Sequence, residues 1–449
     1  MRDTIVTITN TLSGKKELFT PLKSKKIALY VCGITPYDYA HLGHGRVYVT
    51  FDVLYRLLLF LGYEVAYVRN FTDIDDKLLV KAEKEFGDRL AYKKIADTYI
   101  ASFQRDMQAL NCLPPTYEPR VTEHMKEIIA FISGLIDAGK AYVAHGDVYF
   151  HIPNFPDYGK LSKQKLEDLR AGARVEVNDL KKDPLDFALW KGEAVGQFWK
   201  SPWGWGRPGW HIECSALATR YLGKQIDIHA GGQDLIFPHH ENEIAQSEGL
   251  TGTPFASYWM HNAFVRVNQE KMSKSLGNFF TLRDIFVHAD PIAIRYYILA
   301  HHYRAPLDFS LVDLSATQKS YQRLARVFDE VHCQELTPRE IRESAIVQKM
   351  LEFLCDDLNT PGMFGVLFDH LDEIKNDISK LCPVKLFLQQ VLGLTLKPIP
   401  EKEVTMTPEI EKLQHEREEA RKAKDWARAD AIRDKLVALG VQVRDTKSK

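Results

Sequence analysis

The sequence predicts an α/β protein: a parallel sheet carrying an inserted module, then an α-helical stem and a small helical domain. Three observations carry that prediction. An apolar run at 27–31, a helical pattern over 45–61 and an apolar run at 64–69 follow one another at parallel-crossover spacing. Such a unit feeds an open sheet whose ligand sits at the strands' carboxyl ends. A second strand, 226–229, leads into a small-residue turn and a helix. From residue 291 onward the pattern is helical, at 291–303, 315–333, 344–357, 361–378 and 384–392.

A chain of 449 residues holds several domains. The expected division is 1–115 and 201–290 for the two halves of the core, 116–200 for the insert, 291–396 for the stem and 397–449 for the tail. A formal net charge of −1 excludes a general polycation, so any nucleic acid must meet local patches. Six cysteines, at 32, 112, 214, 333, 355 and 382, are too sparse for a disulfide framework. With no signal pattern, and no bilayer-length apolar run (53–63 is short and holds Arg56), the expectation is a cytoplasmic protein with reduced thiols and no membrane partner.

In the first half, Cys32 falls at a strand's carboxyl end and Gly33 follows it. His41 and His44 share one face at the start of the next helix, where backbone N–H groups and the dipole favour an anion. Gly43 between them admits a ligand to the backbone. A helix-capping pair is the plainer alternative. The loop Asn70–Lys77 faces the same crevice; its three aspartates suit caps better than a metal, and Thr72 is placed near a small ligand. A helical pattern spans 79–110, then a helix 122–138 and a strand pair at 141–144 and 147–152.

In the second half, the strand 226–229 ends at His229, and the turn holding Gly232 and Asp234 lets a ligand lie on the backbone. Pro238 at a helix start would put His239 and Glu243 on one face. With Cys32 and Cys214 they suit zinc by ligand type, although the spacing matches no structural finger. Lys271, Met272, Ser273, Lys274 and Ser275 make a cationic loop fit for phosphates whose charge grows in a transition state. In the tail, eleven Lys or Arg against eight acids follow from Glu411. Asp425 is a fitting cap, and Trp426 either packs between two helices or, beside Arg421 and Arg428, offers a stacking platform for unpaired bases.

HLGH at 41–44 and KMSKS at 271–275, on either side of an insert, resemble the paired motifs of class I aminoacyl-tRNA synthetases, whose catalytic core is a Rossmann-type parallel sheet. With YVCGITPYD, NFTDIDDK, GWHIECS and GGQDLIFPHHENE, the resemblance narrows to the cysteinyl-tRNA synthetase family and covers nearly the whole chain. It implies activation of L-cysteine with ATP and transfer to tRNA-Cys. It implies zinc, one per subunit, on Cys32, Cys214, His239 and Glu243, where the metal holds the substrate thiolate and serine is rejected. Four protein ligands would close a tetrahedral site, so the bond to Glu243 is expected to lengthen when cysteine arrives.

The resemblance also implies catalytic and ATP-binding roles for His41, His44, Lys271 and Lys274, with Gly43 under the adenine and Gly232 and Asp234 also on the nucleotide. Gly33, Thr72, Trp210 and His229 line the amino-acid pocket, and Trp426, Arg421 and Arg428 meet the anticodon from a C-terminal tRNA-binding domain. Mg2+ accompanies ATP, and a monomer is expected. Two departures stand out: Ala263 where the family often has glycine, and a chain that stops at Lys449 before the family's frequent Gly-Thr and tryptophan segment. The alternatives weighed are a cysteine ligase with an amino-sugar acceptor and a non-catalytic zinc RNA-binding protein.

Overall fold

A computed structural model describes residues 5–168, 180–267, 269–272, 278–400, 408–423 and 425–438. The crossover forms as expected: strands Lys26–Val31 and Glu64–Val68 pair in parallel, Ala28 opposite Ala66, through helix Leu42–Phe60. That helix begins at Leu42, ahead of its apolar pattern, because His41 caps it. Gly62, at φ +86, turns the chain out of it.

Strands Ile226–Gly232 and Ala256–Asn262 complete a four-stranded parallel sheet, ordered Ala256–Asn262, Ile226–Gly232, Lys26–Val31, Glu64–Val68. Ile228 lies opposite Leu29 and His229 opposite Tyr30, so the two halves of the core meet at the sheet's centre. Their crossovers leave in opposite directions, and the crevice beyond the carboxyl ends is a topological switch point. Leu29, Tyr30, Val31, Ile228 and Ala230 are fully buried there, which fixes the register by the apolar area it removes from water.

The 79–110 pattern resolves into helices Asp76–Phe86 and Tyr92–Ala109, parted after Gly87. The insert is a five-stranded antiparallel sheet whose last strand, Gly204–Pro208, runs past residue 200. Asp76 ties it to the core by accepting from Arg207 at 2.6 Å and from Lys191. Asp75 caps its helix through Lys77 N at 2.9 Å, whereas Asp73 accepts from Thr122 N and Oγ1. Only one of the three loop aspartates is therefore a cap.

In the stem, helix Ile378–Leu392 runs through Pro383, although the sequence suggests a start at 384. Fully buried Arg295 joins the stem to the core, donating to Leu392 O at 2.6 Å, Leu110 O at 2.9 Å and the Asp52 carboxylate. The expectation of reduced thiols fails at two positions: Cys333 and Cys382 form a disulfide with Cα atoms 5.5 Å apart. They are 49 residues apart in sequence, and the tertiary fold, which spacing does not encode, sets the segment after helix Leu311–Phe328 against helix Ile378–Leu392.

The chain divides into compact units Met1–Lys397 and Pro398–Lys449. The second holds helices Pro408–Lys422 and Trp426–Ala438 around Ile410, Ile432 and Leu436. Asp425 Oδ1 accepts from Arg428 N at 3.1 Å, as a cap should. No described helix is long and apolar enough to cross a membrane.

Candidate active site

The switch-point crevice is lined by the ends of four segments. Cys32 follows the first strand, its N–H donating to Ala230 O at 3.1 Å. Cys214 sits in the first turn of helix Ile212–Leu222. His239 lies in an irregular turn, Ile236–His240, ahead of helix Glu241–Thr251, so Pro238 does not begin the helix as expected. His239 and Glu243 nonetheless face each other, with Nε2 2.9 Å from Oε1.

Cys32 Sγ lies 4.0 Å from Cys214 Sγ and 3.6 Å from Glu243 Oε1, and the ligand atoms of Cys32, Cys214, His239 and Glu243 all fall within 4.8 Å of one another. All four residues are buried. A tetrahedral ion with bonds of about 2.0–2.3 Å needs donors roughly 3.3–3.8 Å apart, so the group could hold a metal ion. Cys32, His229, His240 and Glu243 form an overlapping second set.

Outer partners fix these rings. His211 Nδ1 meets His239 Nδ1 at 2.8 Å, and His229 Nε2 meets Glu243 Oε2 at 2.7 Å. His240 Nε2 reaches Cys32 Sγ at 3.2 Å while its Nδ1 contacts His261 Nε2 at 2.8 Å. Sequence reasoning missed His211, His240 and His261, although the HH doublet in FPHHENE and the His of GWHIECS were visible signals. Burial opposes ionisation of Glu243, yet His229 and His239 outweigh it and hold the carboxylate at about 2. His239 is likewise opposed by burial but raised to about 10 by the Glu243 charge. The hydrogen bond from Cys32 lowers the Cys214 thiol, whereas burial and that shared bond push the Cys32 thiol up.

Gly33, Thr72, Trp210 and His229 are held by contacts of their own. Thr72 Oγ1 donates to Glu213 Oε2 at 2.8 Å and accepts from Asn70 Nδ2 at 3.3 Å. Asn70 Oδ1 accepts from Gly33 N at 3.0 Å, and a Cβ at Gly33 would stand 1.5 Å from Asn70 O, so only glycine fits. Trp210, 42% exposed, stacks on His239 at 4.8 Å, while His229 is fully buried and stacks on Trp259 at 4.6 Å. Glu213, also missed from the sequence, is fully buried with Oε1 unpartnered among the described residues.

On the opposite side, His41 and His44 do cap the helix: each Nδ1 accepts the other's backbone N–H at 3.2 Å, and the rings stack 3.6 Å apart. That bonding assigns the ring proton to Nε2 on both, the form that donates to phosphate. The cap uses neither Nε2 atom, so capping does not exclude anion binding. A Cβ at Gly43 would approach the His41 ring to 2.9 Å. Gly232 ends its strand beside exposed Asp234. Lys271 pairs its backbone with Arg266, and Lys274 lies outside the described residues, as does the Lys271 side chain. In the second unit, Trp426 is 60% exposed and Arg428 is exposed, with Arg421 half-buried.

Residues 18–319 match the family model for the tRNA synthetases class I (C) catalytic domain, and 404–449 match the cysteinyl-tRNA ligase anticodon binding domain. The cysteine–tRNA ligase of Heliobacterium modesticaldum is 48% identical over 469 residues, covering 97% of each chain. The chain belongs to the cysteine–tRNA ligase family. The Trichlorobacter lovleyi cysteine–tRNA ligase is 46% identical over 476 residues, again 97% of each chain. Among solved structures, Mycobacterium tuberculosis methionyl-tRNA synthetase with methionyl-adenylate superposes at TM-score 0.60. It covers 83% of this chain and 92% of that one at 13% identity, a likeness of fold. In this family member Cys32 of the buried Cys/His/Glu group follows strand Lys26–Val31, and the His41–His44 pair starts the helix that leaves the same strand.

Proposed function

We propose that this chain is a cytoplasmic cysteine–tRNA ligase that activates L-cysteine with ATP and transfers it to tRNA-Cys. A cysteine carboxylate oxygen attacks the α-phosphorus, and the bond to the bridging oxygen breaks, releasing pyrophosphate and leaving cysteinyl-adenylate. A terminal ribose hydroxyl of the tRNA then attacks the carbonyl carbon and AMP departs. What carries this reading is the convergence of Cys32, Cys214, His239 and Glu243 within 4.8 Å beside the His41–His44 helix start.

Zinc, one per chain, fits that sulfur, nitrogen and oxygen donor set, and when bound it supplies a Lewis acid that favours a substrate thiolate over a serine hydroxyl. His229, bonded to Glu243 Oε2 at 2.7 Å, would orient that carboxylate within the donor set. Thr72 directs its proton to Glu213 and so turns a lone pair toward the substrate ammonium. Trp210 closes over His239 to exclude water.

His41 and His44 donate Nε2–H to phosphate oxygens, Gly43 and Gly232 leave room for the nucleotide, and Asp234 accepts from its ribose. Lys271 and Lys274 neutralise the leaving pyrophosphate, with Mg2+ accompanying ATP. Trp426, with Arg421 and Arg428, stacks on and pairs with the tRNA anticodon, and the enzyme acts as a monomer. The test is cysteine-dependent exchange of labelled pyrophosphate into ATP, with serine alongside. Exchange with cysteine alone is the expected result; none from metal-replete protein would overturn the reading.

A further inference from the structure

Arg46 follows HLGH by two residues and is 1% exposed, yet among the described residues no carboxylate pairs with it. Its guanidinium instead donates to backbone carbonyls on two separate segments. Nη1 reaches Ala263 O and Phe264 O, each at 2.9 Å; Nη2 reaches His302 O and Tyr303 O, each at 3.2 Å, and Ala305 O. A buried cation held only by neutral acceptors costs stability relative to an apolar side chain of similar volume. Packing alone gives no reason for arginine here.

The clamped segments supply one. Ala263 and Phe264 lead into strand Val265–Val267, which pairs in parallel with Leu307–Phe309, just after the clamped 302–305 turn. The same strand pairs with Glu270–Lys271, Arg266 opposite Lys271, and Met272 N donates to Val265 O at 3.2 Å. Arg46 therefore holds, from the HLGH helix, the small sheet on which Lys271 sits. On the far side of that motif the chain returns to the same helix start: Leu42 N donates to Phe280 O at 3.2 Å, and Leu282 N to Ala40 O at 2.8 Å.

The geometry points to Arg46 as a positioning residue that couples HLGH to the strand carrying Lys271, fixing the distance between the two phosphate-binding ends of the nucleotide site. This rests on the proposed cysteine-activation reading. Lysine keeps the charge but offers three donors from one point and cannot span both segments as a planar fork does. The test compares full-length, metal-replete wild type with Arg46→Lys and Arg46→Gln in pyrophosphate exchange, with metal content and thermal unfolding recorded beside it.

The expected result for Arg46→Gln is a fall of about 100-fold in kcat, the scale of an ångström's misplacement, with partial recovery in Arg46→Lys. The KM for cysteine and the bound metal stay at wild-type values in both, because the clamp does not touch the metal crevice. An unchanged kcat overturns the inference. So does a joint loss of kcat, cysteine affinity and metal, or the loss of a cooperative unfolding transition in both variants, which would make Arg46 a stability residue. Absence of exchange in the wild type would instead fail the functional reading, and the inference with it.

Discussion

The Thr72 hydroxyl donates to Glu213 Oε2 across 2.8 Å, inside a crevice where both side chains are buried. With Oε1 already unpartnered, this bond is the one described partner of the Glu213 carboxyl, whose pKa burial drives well above the carboxylate range. Thr72→Val keeps the shape and removes the bond. The expected cost is about 1–3 kcal/mol in urea unfolding, together with a raised KM for cysteine. Unchanged stability and KM would show that the pair is idle.

Metal content tests the four-donor group directly. Purified wild-type protein should carry close to one equivalent of zinc per chain by mass spectrometry, and Cys214→Ala should carry almost none. A chelator should lower the wild-type melting temperature and leave the variant's unmoved. If Cys214→Ala keeps its metal while His240→Ala loses it, the second donor set of Cys32, His229, His240 and Glu243 is the true one.

Asp106 gives a pH dependence with a definite sign. Burial raises its carboxyl to about 6, against the pull of Arg283, Arg105 and Ser102. The folded value lies above the unfolded one of about 3.9, so holding the charged form costs stability above pH 6. That cost fades as pH falls from 6 toward 4. Asp106→Asn should be more stable than wild type by about 2 kcal/mol at pH 8 and no more stable at pH 4, read from urea midpoints.

The Cys333–Cys382 disulfide closes a 49-residue separation in the stem. By loop entropy, Cys333→Ala should lose about 2–4 kcal/mol against untreated wild type. Under dithiothreitol the two proteins should unfold alike. A variant as stable as oxidised wild type would mean that the bridge does not form in solution.

Much of the site was legible because motifs encode local geometry. Strand spacing put Cys32 at a carboxyl end, helix spacing put His44 three residues from its cap, and a separation of four set His239 against Glu243 despite the irregular turn between Phe237 and His240. The exposure of Trp426 was open from the sequence, since a tryptophan in a helix's first turn serves either packing or stacking.

The sequence by itself determined the family, the parallel core and the donor residue types of the buried Cys/His/Glu group, since these depend on short-range spacing and on side-chain chemistry. Only the tertiary structure decided which distant groups touch. The register of Ile228 on Leu29 brings Cys32 and the His229–Glu243 pair together. A loop laid against helix Ile378–Leu392 makes the Cys333–Cys382 bridge, and Arg46 finds its acceptors more than 200 residues away. Contacts of that range are set by where whole strands and helices bury their apolar faces, which no local pattern records.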